Sequence, residues 1–194
     1  MRTILAPVAA ALLILSQPAH AEWRHFVAEG HVTEALPMAP LNAKVRIKFS
    51  YDDEQAPLVS VGEPNGPGYG VSSYRFDAKI KLTVNGHTVH ADALYADVTN
   101  LGGKDGASIS LYGSTPIVVD GTTFPVGSVY ITLVSTEGKR VLKGTALPRQ
   151  LNLKRWNGPN GNYGGVQTDG SGNGGLLAFT LDDIQEVPGR SRQD

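Results

Sequence analysis

The feature that most constrains the fold is a stretch of alternating residues on both sides of Asn85-Gly86. Apolar side chains occupy every second position over residues 74–84, and the alternation resumes after the break. Asn-Gly is a preferred pair for a two-residue type I′ turn, because both residues need a positive φ angle. The sequence therefore predicts a hairpin with these cross-strand pairs: Val84 with His87, Leu82 with Val89, Ile80 with Ala91, Lys81 with His90, and Lys79 with Asp92.

The same period of two recurs elsewhere in the chain. Over residues 43–51, apolar side chains alternate with Lys44, Arg46 and Lys48, so that one face packs and the other meets solvent, as in an antiparallel sheet. Further strands are predicted at residues 23–33, 94–99, 107–112, 128–135, 151–153 and 175–181.

The turns between these runs indicate the fold class. Many short strands joined by glycine and proline turns are typical of two packed antiparallel sheets. We therefore predict an all-β fold, a single antiparallel β-sandwich of the jelly-roll-like or Ig-like type, over residues 22–187. Two glycine-rich stretches, 55–70 and 156–174, are predicted to be loops long enough to carry function.

The two ends of the chain differ in character from this domain. Residues 1–21 start with Met1 and the basic residue Arg2, continue as an apolar run and end in Ala-His-Ala, the pattern of a cleaved secretory signal peptide. We therefore expect an exported protein, periplasmic or secreted. Residues 188–194 are polar and are predicted to form a disordered tail. No second long apolar run follows, so we expect no membrane anchor in the mature chain.

Charge and cysteine content narrow the range of partners and chemistry. Lysine and arginine number 17 against 18 acidic residues, a formal net charge of −1. This balance argues against nucleic acid as a partner, because proteins that bind it present a basic stripe to the phosphates. The chain has no cysteine, which excludes disulfides, cysteine metal sites and thiol catalysis.

Several short motifs occur along the chain in an order that resembles that of a known family. They are FSYD at 49–52, GYG at 68–70, IKLTVNG at 80–86, DGASIS at 105–110, VYITL at 129–133, GTALP at 144–148 and FTLD at 179–182. Together they resemble uncharacterised secreted β-sandwich proteins of Gram-negative bacteria, which often carry a PEP-CTERM sorting tail. The resemblance implies a β-sandwich and export but no shared activity. The tail itself is absent, so we do not expect sorting by that route.

A glycine-rich segment offers a candidate calcium loop. Asp169, Ser171 and Asn173 place oxygen ligands at positions 1, 3 and 5, with glycine at position 6. Thr180 stands where the bidentate glutamate of such a loop is expected at position 12. The segment is therefore either an incomplete calcium site or a flexible linker, and calcium is the one cofactor that the sequence suggests.

The histidines are weaker candidates for metal ligands. His87 and His90 would share the face of a helix, but on a strand this spacing puts them on opposite faces. His25, Glu29 and His31 share one face of a predicted strand and would need a further ligand from a neighbour. The alternative interpretation of these three is the polar outer face of a strand.

Acidic clusters suggest an alternative, enzymatic function. The clusters lie at residues 52–54 and at Asp182, Asp183 and Glu186. Two opposed carboxylates could hydrolyse a glycoside, although adjacent acids at strand ends are more often solvated turn residues. The chain has neither a G-x-S-x-G nucleophile motif nor a phosphate-binding loop with its lysine.

Aromatic residues in the glycine-rich stretches are the remaining candidates for a binding site. Trp156 and Tyr163 could stack on a sugar ring or insert into a partner; alternatively, they fold inward and pin their own loop. The sequence favours a non-catalytic, exported domain that binds an envelope or extracellular ligand, a glycan being one option. A polysaccharide hydrolase and a calcium-assisted carbohydrate-binding module are the alternatives.

Overall fold

A computed structural model of the chain describes residues 23–61, 70–102, 106–114, 116–135, 142, 144–156, 158, 161–169 and 175–189. These residues contain thirteen strands and no helix. The strands are β1 (Trp23–Glu34), β2 (Lys44–Asp52), β3 (Val59–Val61), β4 (Gly70–Phe76), β5 (Ile80–Val84), β6 (His87–Ala91), β7 (Leu94–Gly102), β8 (Gly106–Ser114), β9 (Ile117–Val119), β10 (Thr122–Phe124), β11 (Ser128–Val134), β12 (Tyr163–Gln167) and β13 (Gly175–Val187).

Antiparallel pairing joins all the described strands in one sheet. Its order is β10-β9-β6-β5-β2-β1-β13-β12-β11-β8-β7-β4-β3. The prediction of an all-β, antiparallel fold is confirmed. The hydrogen bonds, however, run through one continuous sheet, whereas the strand pattern predicts two. The first and last strands lie side by side at its centre, because β1 pairs with both β2 and β13.

The hairpin predicted around Asn85-Gly86 is confirmed. Both turn residues have positive φ angles, 46° and 83°, as a type I′ turn requires. Four of the five predicted pairs belong to the register of the two strands. The fifth, Lys79 with Asp92, lies just beyond the strands as an ion pair, with Lys79 Nζ 3.0 Å from Asp92 Oδ1. The residues of the turn and the two strands were therefore sufficient to predict the register of β5 and β6.

The alternating stretch at residues 74–84 does not form a single strand. β4 ends at Phe76, where it is paired with β7, and β5 begins at Ile80 between β2 and β6. Phe76 and Ile80 are both buried, so the alternation continues without interruption across the connection. Because the pattern keeps its phase, it could not reveal that the chain moves to a different part of the sheet.

The inner face of the sheet encloses one hydrophobic core. Phe26 of β1 stacks on Phe49 and Tyr51 of β2, with ring centroids 5.3 and 5.0 Å apart. Gly113 of β8 lies directly against Ile80 and Ala91, which belong to β5 and β6. These strands are far from β8 in the sheet order. The sheet therefore curves back on itself, so that strands distant from one another in its order share the core.

Three predicted segments have a different structure from the one expected. The stretch 156–174, predicted to be a loop, contains β12, and residues 151–153, predicted to be a strand, lie outside the strands. β12 carries Gly164 and Gly165, and glycine is depleted in strands, which explains why the sequence signal was weak. Likewise, β3 lies within the predicted loop at 55–70.

The predicted signal peptide, residues 1–21, lies outside the described residues, as do residues 190–194 of the predicted tail. The tail begins with Pro188 and Gly189, and Gly189 lies against the ring of His25. Among the residues described, there is no helix that could span a membrane.

Candidate functional site

Trp156 and Tyr163, the aromatic residues predicted to bind a ligand, have opposite environments. Trp156 is 2% exposed and belongs to the core, whereas Tyr163 is 40% exposed on β12. Asn162 fastens the segment between them: its side-chain amide donates to the carbonyl of Trp156 and accepts from the backbone N–H of Val134. Trp156 thus anchors the loop, as in the alternative interpretation above, and Tyr163 is the residue presented to solvent.

Tyr163 lies beside a row of three outward-facing tyrosines. Tyr95, Tyr112 and Tyr130 sit directly opposite one another on β7, β8 and β11. The rings of Tyr95 and Tyr112 are stacked, with centroids 5.5 Å apart and planes 14° apart. Tyr163 pairs with Thr132, two residues from Tyr130 on the same strand. We call Tyr95, Tyr112, Tyr130 and Tyr163 the tyrosine face.

The position of the Tyr130 ring depends on a glycine in the next strand. Gly165 of β12 is directly opposite Tyr130. A Cβ atom at Gly165 would lie 2.9 Å from the Tyr130 hydroxyl oxygen and 3.1 Å from Cζ, so the ring occupies the space above the glycine. Glycine in a strand often marks such a close approach. Tyr163 is then the next side chain along this surface.

The hydroxyls of Tyr112 and Tyr130 are uncharged hydrogen-bonding groups at neutral pH. Burial raises the pKa of Tyr112 to about 12, and the carboxylate of Asp97 adds to the effect. Burial also raises the pKa of Tyr130, with a further contribution from nearby Tyr163. The tyrosine face therefore combines apolar rings with neutral hydroxyls that donate and accept hydrogen bonds.

The surface around the tyrosine face is rich in hydroxyl groups. Ser110 Oγ and Thr132 Oγ1 lie 3.3 Å apart and form, with Asp97, the neighbouring row across β7, β8 and β11. Of the large hydrophobic side chains that the described residues expose, only Tyr163 belongs to the tyrosine face. The chemistry of this surface is therefore that of aromatic rings and hydroxyls.

A second surface has a different composition. It is a groove of about 520 Å³ over β1, β2, β5 and the end of β13. Four cationic side chains line it: Arg46, Lys48, Lys79 and Lys81. We call these four residues with their groove the cationic groove. Its other lining residues include Val27, Val187 and Pro188, so that the cations lie beside an apolar wall.

Two lysines of the cationic groove have no counter-ion among the described residues. Lys48 is directly opposite Lys81, and Lys81 is directly opposite His90. Asp92 pairs with Lys79 at 3.0 Å, and Glu29 lies 3.7 Å from Arg46. Within the part of the chain that the structure describes, no carboxylate forms an ion pair with Lys48 or Lys81. Like charges directly opposite on neighbouring strands destabilise a sheet.

His25 forms one end of the cationic groove. Its Nδ1 lies 2.7 Å from Ser50 Oγ, and the two residues are directly opposite on β1 and β2. The backbone of Gly189 lies against the other side of the ring. The hydrogen bond and this contact hold the imidazole in a fixed position beside Val187 and Pro188.

The histidines and acids predicted as possible metal ligands are engaged separately. His87 Nδ1 lies 2.6 Å from Asp120 Oδ2, and His31 Nδ1 lies 2.9 Å from Asp182 Oδ2. His90 faces Lys81, on the opposite side of β6 from His87. No group of three or more His, Asp or Glu side chains in the described ranges could hold a metal ion.

The predicted calcium loop is only partly described. Asp169 follows β12, whereas Ser171 and Asn173 lie outside the described residues. Calcium binding by these three residues stays a prediction.

The two acidic clusters considered for hydrolysis meet around one arginine. Arg24 Nε lies 2.8 Å from Asp53 Oδ2, and Arg24 Nη1 lies 2.9 Å from Glu186 Oε1. Arg149 Nε approaches the same Asp53 oxygen at 3.3 Å. The Asp53 side chain is 2% exposed. These carboxylates form a network that ties β1, the end of β2, β13 and the segment at Arg149 together.

Comparisons of the chain with protein-family models, with curated proteins and with solved structures find no match.

Sequence reasoning missed both surfaces except for Tyr163. The alternation marked Lys44, Arg46 and Lys48 as outward-facing, but it did not indicate that β5 lies next to β2. Tyr112 and Tyr130 fall in predicted strands, at outward-facing positions. Nothing in the sequence indicated that they are in register, because no short turn connects β8 with β11.

Proposed function

We propose that this chain is an exported, non-catalytic β-sandwich domain that binds a glycan in the cell envelope or extracellular space through its tyrosine face. The observation that carries the proposal is the row of Tyr95, Tyr112 and Tyr130 on three adjacent strands, extended by exposed Tyr163. The basic, apolar and small-residue pattern of residues 1–21 supports export.

The two-layer arrangement is supported by the way in which the sheet folds over. β8 contacts β5 and β6 through Gly113, and the buried residues of all three strands belong to one cluster. In this arrangement the strands from β10 to β1 in the sheet order form one layer, the strands from β12 to β3 form the other, and β13 joins the two between β1 and β12. The tyrosine face and the cationic groove then point away from each other, on opposite outer surfaces.

A glycan fits the chemistry of the tyrosine face better than a protein partner does. The buried centres of protein interfaces are apolar, whereas the residues around these tyrosines are Ser110, Thr132 and Asp97. A sugar presents both a C–H surface and many hydroxyls, and tyrosine offers an apolar ring with a polar end. Tyrosine also supplies contact area at a low cost in side-chain entropy.

The test is a binding measurement with a panel of neutral polysaccharides, using the chain from residue 22 onward and isothermal titration. We expect Tyr112→Ala combined with Tyr163→Ala to weaken binding at least tenfold, because two of the four rings are removed. The matched control is Trp23→Ala. Trp23 and Tyr163 are both 40% exposed, but Trp23 lies on β1, away from the tyrosine face.

Two results would contradict the proposal. One is binding that survives the double tyrosine substitution and is lost in the Trp23 variant. The other is release of new reducing ends from the bound polysaccharide, which would make the protein a hydrolase. The same titrations with calcium and with a chelator measure whether the segment at Asp169 contributes to binding.

A further inference from the structure

We propose that the cationic groove is a second binding site, separate from the tyrosine face, for a linear acidic polysaccharide. Its basis is the juxtaposition of Lys48 and Lys81, directly opposite each other, on a groove of about 520 Å³ that two further cations line. The inference goes beyond the proposed glycan binding and does not depend on it, because the two surfaces share no residue.

The first step in the argument is the uncompensated charge. Lys48 and Lys81 project from neighbouring strands toward the same side, and His90 occupies the next position in the row. No carboxylate of the described residues pairs with either lysine, whereas Lys79 and Arg46 have Asp92 and Glu29 nearby. A bound anion would remove the repulsion between the lysines, so the folded protein gains from the ligand.

The second step is the spacing of the cations. Residues two apart on a strand lie roughly 6.5 Å apart on the same face, and opposite residues on paired strands have Cβ atoms about 5 Å apart. Arg46 and Lys48 on β2, with Lys79 and Lys81 beside them at β5, therefore form an array that does not converge on one point. An array of this kind fits a chain with repeated anionic groups better than a single phosphate.

The third step is the apolar wall. Val187 and Pro188 line the groove together with the cations, whereas Val27, the partner of Lys48 in the register, is only 8% exposed. His25 at the end of the groove has its Nδ1 2.7 Å from Ser50 Oγ. A carboxylated sugar has an anionic edge and an apolar C–H surface, so it can meet both sides of the groove. A small inorganic anion would make no use of the wall.

Nucleic acid is the competing polyanion, and the groove is less suited to it. Proteins that bind single strands combine cations with exposed aromatic rings on which the bases stack. The phenylalanines that line this groove, Phe26 and Phe49, are 1% and 2% exposed, so their rings belong to the core. This favours a polysaccharide as the occupant.

The experiment uses the chain from residue 22 onward and a purified polygalacturonate oligomer as the probe. We expect Lys48→Gln combined with Lys81→Gln to weaken its binding at least tenfold. The matched control is Lys154→Gln combined with Arg155→Gln, which removes the same charge from exposed positions outside the groove and should change affinity less than twofold. Melting temperatures establish that both variants fold.

Each other outcome overturns the proposal. Equal losses of polygalacturonate affinity in the Lys48/Lys81 variant and in the Lys154/Arg155 control would mean that binding responds only to net charge. Tighter binding of single-stranded DNA than of polygalacturonate would assign the groove to nucleic acid, and equal binding of inorganic phosphate would remove the need for a chain. No binding of polygalacturonate by the unsubstituted protein also refutes the site. The tyrosine variants should bind polygalacturonate normally, which separates this test from that of the proposed function.

Discussion

The tyrosine face and the cationic groove are both outward surfaces of the same sheet, yet they are built by opposite means. In the tyrosine face, the outward-facing residues also stabilise one another, since Tyr95 stacks on Tyr112 and Tyr130 covers Gly165. In the cationic groove, Lys48 and Lys81 repel each other. One surface thus adds to the stability of the fold, and the other reduces it, which is the cost that the proposed binding site in the groove would carry.

The two surfaces also differ in how the chain supports them. The cationic groove is built on β1, β2 and β5, which pair along continuous registers. The tyrosine face includes Tyr163, whose position depends on a loop held by Asn162 and buried Trp156. Perturbing the loop should therefore affect one surface and spare the other.

The largest expected effect is that of Trp156→Ala. Truncating a buried tryptophan costs about 3–5 kcal/mol of unfolding free energy, through lost burial and the cavity that remains. In conditions where the variant is still folded, we expect weaker neutral glycan binding and unchanged polygalacturonate binding. Urea unfolding and titration with both ligands measure this, and an equal loss of both affinities would mean that the surfaces are not independent.

The second largest expected effect is that of salt, which should weaken ligand binding at the cationic groove and not at the tyrosine face. Raising sodium chloride from 50 to 500 mM shortens the Debye length from roughly 14 to roughly 4 Å. We expect polygalacturonate affinity to fall about tenfold or more, and neutral glycan affinity to change less than twofold, because only the groove acts through exposed charges. A salt-independent interaction with the acidic ligand would contradict the assignment of Lys48 and Lys81.

Substitutions in the two surfaces should change stability in opposite directions. Lys48→Gln removes a like-charge pair and should raise the unfolding free energy by about 0.2–1 kcal/mol. Tyr112→Ser should lower it by about 0.5–1.5 kcal/mol beyond the loss from burial, because the stacked pair with Tyr95 is lost. Thermal melts at low salt give the sign of each change, and a destabilised Lys48→Gln protein would refute the repulsion argument.

The smallest expected effects are those of extreme pH. The pKa of Asp120 is lowered by its hydrogen bond from the backbone of Thr88 and by His87. The ionised Asp120 therefore contributes to the stability of the folded protein above about pH 4, and this contribution is lost as the pH falls through the lowered pKa. The pKa of Tyr112 is raised to about 12, so its contribution is present below about pH 10 and is lost as the pH rises toward 12.

Melts of Asp120→Asn and Tyr112→Phe across the pH range check both signs. Asp120→Asn should be less sensitive than the parent protein to acid, and Tyr112→Phe less sensitive to alkali. A Tyr112→Phe protein that is less sensitive to acid, or an Asp120→Asn protein that is less sensitive to alkali, would contradict the contacts described for the two residues.

Particular residues show how far sequence reasoning could reach. The Asn85-Gly86 pair predicted a turn at these two residues and the register of β5 and β6, because a two-residue turn leaves little choice of pairing. The alternation over residues 43–51 predicted which side chains of β2 are buried, because side chains on a strand point to alternate faces. It could not predict that β5 lies beside β2, since β3 and β4 come between them in the chain and occupy the far end of the sheet.

The site shows the same division. Tyr163 was a candidate because an aromatic residue stands out in a glycine-rich stretch, but the same reasoning selected Trp156, which is buried. Tyr95, Tyr112 and Tyr130 are far apart in the sequence, and only the pairing of β7, β8 and β11 places them side by side. Two lysines on separate strands likewise become a site only when the strands are neighbours.

The sequence by itself therefore determined the strands' inward and outward faces, the tight turns and the antiparallel class, because these depend on residues close together in the chain. Only the tertiary structure decided which outward faces became neighbours and that Trp156 is buried in the core. It also placed the tyrosines and the lysines on different surfaces. Pairing between distant strands is chosen by the burial of the whole core, a sum over many residues that no local pattern contains.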